Sequence, residues 1–132
     1  MTKTGFCFFA FLLCLSLCSC RQKSSQTTAD TRIEWKKKNW DFGNITAGEE
    51  VSHTFYYKNT GPCHLILKKT ETGCGCTTVN YDQAPLAPGE EGKIEIVFNS
   101  KGRFGKQYKE IRIFANIPEK YSTLSFTANI KE

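Results

Sequence analysis

The sequence predicts an all-β domain folded as a sandwich. Three observations indicate this fold class: short segments alternate apolar and polar residues, turn-forming residues separate these segments at even intervals, and no stretch of comparable length has helical spacing. Apolar residues make up 39% of the 132 residues, and aromatic residues make up 13%. This composition supplies one hydrophobic core, so we expect a single domain.

The predicted strands follow one another along the chain at short spacing. The clearest one alternates Leu124, Phe126, Ala128 and Ile130 with polar neighbours, which is typical of a half-buried strand. The predicted strands lie at about 40–42, 51–58, 65–67, 77–81, 93–99, 110–113 and 123–130, with turn signals at 59–62, 87–89, 99–102 and 116–118. About seven strands at this spacing predict an immunoglobulin-like β-sandwich at residues 33–132.

The first residues have the order of a secretory signal peptide. Lys3 precedes an apolar run at 6–17, and small or polar residues follow. A spanning helix needs roughly 20 apolar residues, so the shorter run favours a cleaved signal over a retained transmembrane helix. We therefore assign residues 1–19 to a lipoprotein signal peptide and expect the mature chain in an oxidising compartment.

Leu17-Cys18-Ser19-Cys20 resembles the lipobox of bacterial lipoproteins, in which a cysteine follows a small residue and a branched apolar residue stands three positions earlier. The resemblance implies that Cys20 is lipidated, with acyl chains such as palmitate that anchor the protein to a membrane. Cys18 fits less well because the bulky Leu17 precedes it. Arg21 is not the aspartate that retains many lipoproteins in the inner membrane. By resemblance to that sorting rule, the outer membrane is favoured, with the folded domain in the periplasm or at the cell surface.

Residues 20–32 hold the lipidated cysteine and a flexible linker. The stretch 21–30 is polar and lacks large apolar residues, which is typical of a tether. A flexible chain of this length has a reach of roughly 17 Å. We therefore expect the folded domain to stay close to the membrane surface.

The charge balance argues against a nucleic-acid partner. The net charge is +5, and removal of residues 1–19 takes away Lys3 alone, which leaves +4. This charge is mild, and an exported protein does not meet nucleic acid. The local basic cluster is Lys36-Lys37-Lys38. We interpret it as a strand edge protected by lysine, with contact to anionic headgroups as the alternative.

A set of ordered motifs covers most of residues 38–131. The motifs are Trp40-Asp41-Phe42-Gly43-Asn44-Ile45, Gly48-Glu49, His53-Thr54-Phe55, Lys58-Asn59-Thr60-Gly61, Gly73-Cys74-Gly75-Cys76-Thr77, Leu86-Ala87-Pro88-Gly89-Glu90, and Asn99-Ser100-Lys101-Gly102 with Gly105. In order and spacing this set resembles the bacterial domain of unknown function 1573. The resemblance implies an immunoglobulin-like sandwich, related to domains of ciliary and centrosomal scaffolds and commonly carried on secreted proteins or lipoproteins. It implies no established activity, and Cys63-His64 departs from the family pattern.

Three cysteines remain for chemistry once Cys20 is lipidated: Cys63, Cys74 and Cys76. In one interpretation they are structural, with small packed thiols or a staple from Cys63 to one of the pair. In a second, Cys74 and Cys76 bind Cu(I) or Zn(II) together with Cys63 or His64. In a third, the pair exchanges thiol and disulfide with a partner. A direct bridge between Cys74 and Cys76 needs a tight bend, which a regular strand does not provide.

No catalytic constellation accompanies these residues. The sequence has no Gly-x-Ser-x-Gly elbow and no glycine-rich phosphate loop before a helix. His53 falls on the apolar face of its strand, where we expect a packed, hydrogen-bonded imidazole rather than a ligand. We predict a non-enzymatic module without a cofactor, which binds another envelope protein or a surface polymer. If a partner adds a strand, we expect it near Lys36 or on the faces that carry Tyr56 and Lys58. The rival hypothesis is the thiol site.

Overall fold

The computed structural model describes residues 31–132, and strands are the regular elements of that range. No helix within it is long and apolar enough to cross a membrane. The predicted signal peptide and Cys20 lie outside the described residues, as does most of the linker. The strands are β1 (Ile33–Trp35), β2 (Asn39–Thr46), β3 (Glu50–Asn59), β4 (Leu67–Thr72), β5 (Thr77–Tyr81), β6 (Glu91–Asn99), β7 (Gly105–Ala115) and β8 (Tyr121–Lys131).

The strands form two four-stranded sheets. Sheet A has the order β1-β3-β6-β5, and sheet B has the order β2-β8-β7-β4. All neighbours are antiparallel except β2 and β8, which run parallel. At each side of the sandwich the chain crosses from the edge of one sheet to the edge of the other, from β1 to β2 and from β4 to β5. The predicted all-β, immunoglobulin-like sandwich is confirmed.

The structure has one strand more than the sequence predicts. Alternation does not indicate β1, because three residues are too few to show a period of two. Trp35 attaches this strand to the opposite sheet, since its indole N–H donates to Ser122 Oγ of β8 at 2.9 Å. The strand expected from Leu65 begins at Leu67, and Leu65 forms a single bridge with Leu86. The other predicted strands lie within the observed ones.

The core fills the space between the sheets with the inward-facing residues of the alternating strands. Burial of each large side chain contributes about 1.5–3 kcal/mol, so these residues supply most of the driving force for folding. The largest fully buried apolar side chains are Phe55, Phe98, Phe126, Leu65, Ile94, Ile96, Ile111, Ile113 and Leu124.

A buried amide, Asn59, organises one end of the sandwich. Its Nδ2 donates to the carbonyl oxygens of Cys63 at 2.7 Å and Leu86 at 2.9 Å. Its Oδ1 accepts the Thr31 hydroxyl at 2.7 Å and the Gly61 N–H at 3.0 Å. Every donor and acceptor of this side chain is thus satisfied, which is what a fully buried amide requires.

Ser100 has the corresponding role at the opposite end. It is fully buried, and its hydroxyl lies 2.7 Å from the Glu49 carbonyl oxygen and 3.1 Å from that of Thr46. These contacts tie the β2–β3 turn to the end of β6. The two ends of the sandwich are therefore closed by one small polar side chain each.

An aromatic stack joins the two sheets near the side that carries β1. The His53 ring of β3 lies parallel to the Trp40 ring of β2, with centroids 3.8 Å apart, and meets Phe55 edge-on. The Lys37 ammonium lies over the Trp40 ring, 5.0 Å from its centroid. Burial, and then the Lys37 charge, hold the pKa of His53 below its ordinary value of 6.5.

We expect Asn59→Asp to destabilise the fold strongly. The substitution keeps the shape of the side chain but removes both Nδ2 donors and places a carboxylate against the carbonyl oxygens of Cys63 and Leu86, which keep only their bonds from Thr31 and Leu65. Two lost hydrogen bonds cost about 0.5–1.5 kcal/mol each and the buried charge adds to this cost, which predicts a loss of at least roughly 1–3 kcal/mol in the free energy of unfolding, measured by urea titration. Asn129→Asp is the matched control, because Asn129 donates to Asn44 at the surface. Equal losses in both variants would contradict the role of Asn59.

We expect the stack to make stability fall in mild acid. Because the folded state lowers the pKa of His53, the unfolded chain binds more protons as the pH drops through 6.5, and the free energy of unfolding decreases. His53→Gln should therefore lose less stability between pH 7 and pH 5.5 than the wild type does, as measured by urea titration at both values. His64 is exposed, so His64→Gln serves as the control and should keep the wild-type pH dependence. Identical slopes for His53→Gln and the wild type would refute this account.

Candidate functional site

The Cys74-Gly75-Cys76 segment forms the corner at which the chain leaves β4 and enters β5. A disulfide joins the two cysteines, whose Cα atoms are 5.3 Å apart. This separation is shorter than the roughly 6.6 Å expected for such a pair on an extended strand. The tight bend that a direct bridge needs is thus present, and it lies between strands rather than within one.

Neighbouring hydrogen bonds hold this corner on both sides. The Thr72 hydroxyl donates to the Cys74 carbonyl oxygen at 2.9 Å, and the Asn99 N–H donates to the Cys76 carbonyl oxygen at 2.9 Å. The Thr77 hydroxyl lies 3.9 Å from one sulfur and 3.8 Å from the other. Both cysteines are partly exposed, and Cys76 also packs against the core.

Cys63 lies at the other end of the sandwich. Its carbonyl oxygen accepts a hydrogen bond from Asn59, and the Asn59 N–H donates to the carbonyl oxygen of Glu90, the residue before β6. The Cys76 carbonyl oxygen instead accepts from the N–H of Asn99, the last residue of β6. The length of β6 thus separates Cys63 from the pair, which is about 26 Å for an extended strand. Cys63 is unpaired and partly buried. The staple from Cys63 to Cys74 or Cys76 and an ion shared between them both require a proximity that the structure does not have.

His64 is exposed beside Cys63, and its carbonyl oxygen accepts a hydrogen bond from Asn116 at 2.9 Å. Like Cys63, it therefore lies at the end of the sandwich opposite the Cys74–Cys76 disulfide. Within residues 31–132, the structure brings no three His, Cys, Asp or Glu side chains together in an arrangement that could hold a metal ion. We expect a packed, hydrogen-bonded imidazole at His53. The ring is packed against Trp40, and no side-chain hydrogen bond of His53 is found among residues 31–132.

The lysine cluster 36–38 occupies the opposite corner, between β1 and β2. The Lys36 ammonium pairs with Glu91 at 3.0 Å, and both side chains are more than half exposed. Such a pair contributes little to stability. The cluster lies at a strand edge, as the sequence predicts. Its position is the connection between β1, an edge of sheet A, and β2, an edge of sheet B.

A groove of about 840 Å³ on sheet A is absent from the sequence-based expectations. It lies on the outer face of β3, β5 and β6 and combines tyrosine rings with carboxylates. Tyr56, which is 48% exposed, contributes one wall. Alternation in β3 indicates that Tyr56 points outward, but the acidic residues come from distant segments. The tyrosines and charged residues in its lining are Tyr56, Tyr57, Tyr81, Asp82, Glu90, Glu91, Lys93 and Glu95.

Comparison with known families identifies the domain. The sequence profile of a family described as protein of unknown function (DUF1573) matches residues 33–130. The chain belongs to this family. The match confirms the resemblance drawn from the ordered motifs. No curated protein matches the chain in sequence.

Solved structures of other proteins contain the same fold. A protein of unknown function from Porphyromonas gingivalis W83 gives a TM-score of 0.68 at 20% identity, over 80% of this chain and 50% of that one. PapD-like domain 7 of human CEP192 gives 0.61 at 10% identity, over 79% and 87% of the two chains. The secreted serine protease VesC from Vibrio cholerae gives 0.55 at 15% identity, over 77% and 23%.

These likenesses concern the fold alone, because all three identities are low. The DUF1573 chain spans about half the length of the Porphyromonas protein and under a quarter of VesC. The fold thus recurs as one part of longer chains, one of which is a secreted serine protease, and a function has to be argued from the surface of this domain.

We expect peptide mapping to find Cys74 and Cys76 oxidised and Cys63 reduced. Trypsin separates the two kinds, because Lys58, Lys68, Lys69 and Lys93 flank them. Alkylation of the unfolded protein without reductant should label the Cys63 peptide and leave the peptide with the pair unlabelled. Added reductant should allow two labels on the peptide with the pair. A Cys63 peptide that requires reductant, or a pair labelled without it, contradicts the observed pairing.

Proposed function

We propose that this DUF1573 protein is a membrane-anchored envelope lipoprotein whose sandwich is a non-enzymatic binding or scaffold module. Cys20 carries the anchor in this proposal, since it ends the lipobox-like Leu17-Cys18-Ser19-Cys20. Family membership and the likeness to a PapD-like domain support a non-catalytic module. The bound partner is another envelope protein or a surface polymer.

The groove on sheet A is the observation that carries the binding role. Its tyrosine rings offer amphipathic contact area, and its carboxylates offer hydrogen-bond acceptors. Exposed aromatic side chains beside fixed polar groups are typical of sites that bind proteins or sugars. Because Tyr57 and Leu86 at the base belong to the core packing, the walls of the groove are held in place before a partner arrives.

The attachment of the linker keeps this groove near the proposed anchor. The hydroxyl of Thr31 binds Asn59, and the same amide holds the carbonyl oxygen of Leu86, which lines the groove. The linker therefore joins the domain at the groove end of the sandwich. A linker with a reach of roughly 17 Å then keeps the groove close to the bilayer surface.

The anchor is tested by metabolic labelling with palmitate and by membrane fractionation. The wild type should carry label and sediment with membranes, whereas Cys20→Ala should lose both properties, because the thioether forms on that sulfur. Cys18→Ala is the matched control and should keep both. Loss of label in Cys18→Ala but not in Cys20→Ala, or an unlabelled cytosolic protein that keeps Met1, rejects the assignment.

The binding role is tested by cross-linking and pull-down from membranes. The full chain should recover a specific partner, and Tyr56→Ala should reduce recovery about tenfold, which corresponds to about 1.4 kcal/mol of binding free energy. Tyr108→Ala is the control, since Tyr108 is 60% exposed on sheet B. Recovery of no specific partner, or equal recovery with Tyr56→Ala, argues against the groove.

The disulfide supports a second candidate function, thiol–disulfide exchange. A thiolate of a partner dithiol would attack one sulfur of the pair, forming a mixed disulfide and releasing the other cysteine as a thiol. The second partner thiol then resolves the mixed disulfide, so the pair gains two electrons and two protons and the partner becomes oxidised. Both cysteines are partly exposed, which gives access to that attack. Once reduced, the same thiolates are available to Cu(I) or Zn(II).

Trapping and elemental analysis separate this candidate from the binding module. Cys76→Ser leaves one thiol of the pair, whose thiolate attacks the disulfide form of the partner in the reverse of this exchange and releases one partner thiol. It should therefore trap a mixed disulfide in vivo, whereas Cys63→Ser, which keeps both cysteines of the pair, should not. Reduced protein, purified without added metal, is assayed for stoichiometric copper and zinc. An inert pair without bound metal leaves the binding module as the function.

A further inference from the structure

Each sheet of the sandwich has two open edges, and proteins commonly protect such edges against pairing with another chain. Three of the four edges carry recognisable protection. β1 has only three residues and leads into Lys36-Lys37-Lys38. β2 has a register shift between Asp41 and Asn44, with Gly43 at a φ of 69°. β4 has a register shift between Leu67 and Lys69 and exposes charged side chains.

β5 differs from the other three edges. Its sequence Thr-Thr-Val-Asn-Tyr carries no charge, no proline and no glycine, and it is rich in residues that favour strands. It pairs with β6 in an uninterrupted register from Thr77 to Tyr81. Within residues 31–132, no strand pairs with its outer side. This edge is therefore regular, uncharged and open.

The register identifies the backbone groups that β5 leaves free. In an antiparallel pair, alternate residues exchange hydrogen bonds with the neighbouring strand. The Asn99 N–H binds the Cys76 carbonyl oxygen, so the bonded positions continue at Thr78 and Asn80. The N–H and C=O groups of Thr77, Val79 and Tyr81 consequently point away from β6. They are spaced to pair with one further strand.

The groove beside β5 gives the added strand a charge preference. Its lining has four carboxylates and one ammonium, although the chain as a whole has a net charge of +5. One of the four, Glu91, already pairs with Lys36 outside the lining, so the acidic character rests on Asp82, Glu90 and Glu95. Asn80 donates to Glu95 at 3.3 Å, which draws that carboxylate toward the edge. Asp82 follows β5 directly. A lysine or arginine opposite Asn80 on an added strand has both carboxylates within reach of its long side chain.

We propose that β5 accepts an extended segment of a partner protein as a fifth strand of sheet A, with a lysine or arginine of that segment in the acidic groove. This inference rests on the proposed binding function and specifies the surface and the partner chemistry. Backbone hydrogen bonds along Thr77, Val79 and Tyr81 supply affinity, and the groove supplies selectivity. The partner is thus polypeptide rather than polymer.

The probe for this test is a display library of random linear dodecamer peptides, selected on the full-length protein in detergent. Enriched peptides should alternate β-branched or aromatic residues with positions that include lysine or arginine. On binding, the amides of Val79 and Tyr81 should gain protection from hydrogen exchange. Two N-methylated versions of an enriched peptide are compared, one methylated at its odd-numbered residues and one at its even-numbered residues. One version should lose binding and the other should keep it, because only every second N–H of the peptide faces β5.

Two kinds of variant separate the edge from the groove. Val79→Pro removes one outward N–H and keeps the bonds to β6, and Thr78→Lys adds an edge charge if the proline variant fails to fold. Either should weaken peptide binding at least tenfold, whereas Ser52→Lys on the central strand β3 should not. Asp82→Asn with Glu95→Gln should remove the preference for basic peptides, whereas Glu71→Gln with Glu110→Gln should keep it.

The outcomes distinguish this inference from the binding role itself. A membrane partner captured equally by the wild type and Val79→Pro preserves the binding module and overturns strand addition at β5. Peptides that bind without period-two sensitivity to N-methylation, or a library without enrichment, overturn it as well. Self-association of the chain that Val79→Pro abolishes would make the occupant a second copy and also overturn the proposal.

Discussion

The side chain of Asn59 forms four hydrogen bonds in a region closed to water, and two loops and the segment before β1 depend on them. Its Nδ2 fixes the carbonyl oxygens of Cys63 and Leu86, and its Oδ1 holds Thr31, where the linker meets the domain. An amide is suited to this position because it supplies two donors and an oxygen with two lone pairs. The position of Thr31 and the base of the groove on sheet A therefore follow from one set of buried polar contacts.

The two corners at which the chain passes from an edge strand of one sheet to an edge strand of the other differ in chemistry. One carries three lysines between β1 and β2, and the other carries the Cys74–Cys76 disulfide between β4 and β5. The lysines at the β1–β2 corner discourage pairing with a strand of another chain, whereas the β4–β5 corner leads into the uncharged β5. The disulfide immediately precedes that strand, and the Cys76 carbonyl oxygen begins its pairing with β6. The covalent bend thus lies at the start of the edge assigned to strand addition.

Alternation predicted most of the strands because a half-buried strand imposes its period on the sequence that forms it. It could not indicate β1, whose three residues owe their place to Trp35 and its bond across the sheets. It also could not tell which strands are neighbours, because pairing is a long-range property. The separation of Cys63 from Cys74, the parallel pairing of β2 with β8 and the acidic groove all depend on those neighbours. The family motifs predict the fold, whereas the chemistry of the surface depends on contacts between residues that are distant in the sequence.

The parallel pairing of β2 with β8 gives the molecule two distinct poles. β8 runs toward the Ser100 end, where the Lys131 carbonyl oxygen accepts the Ala47 N–H, while Thr31 lies at the Asn59 end. The termini of the domain are consequently separated by about one strand length, roughly 31–37 Å for ten or eleven residues. A reporter or second domain fused after Glu132 would lie at the Ser100 end, away from the surface to which the amino-terminal end of the domain is attached. The sandwich then acts as a rigid spacer that sets how far from its attachment point the fused cargo is displayed.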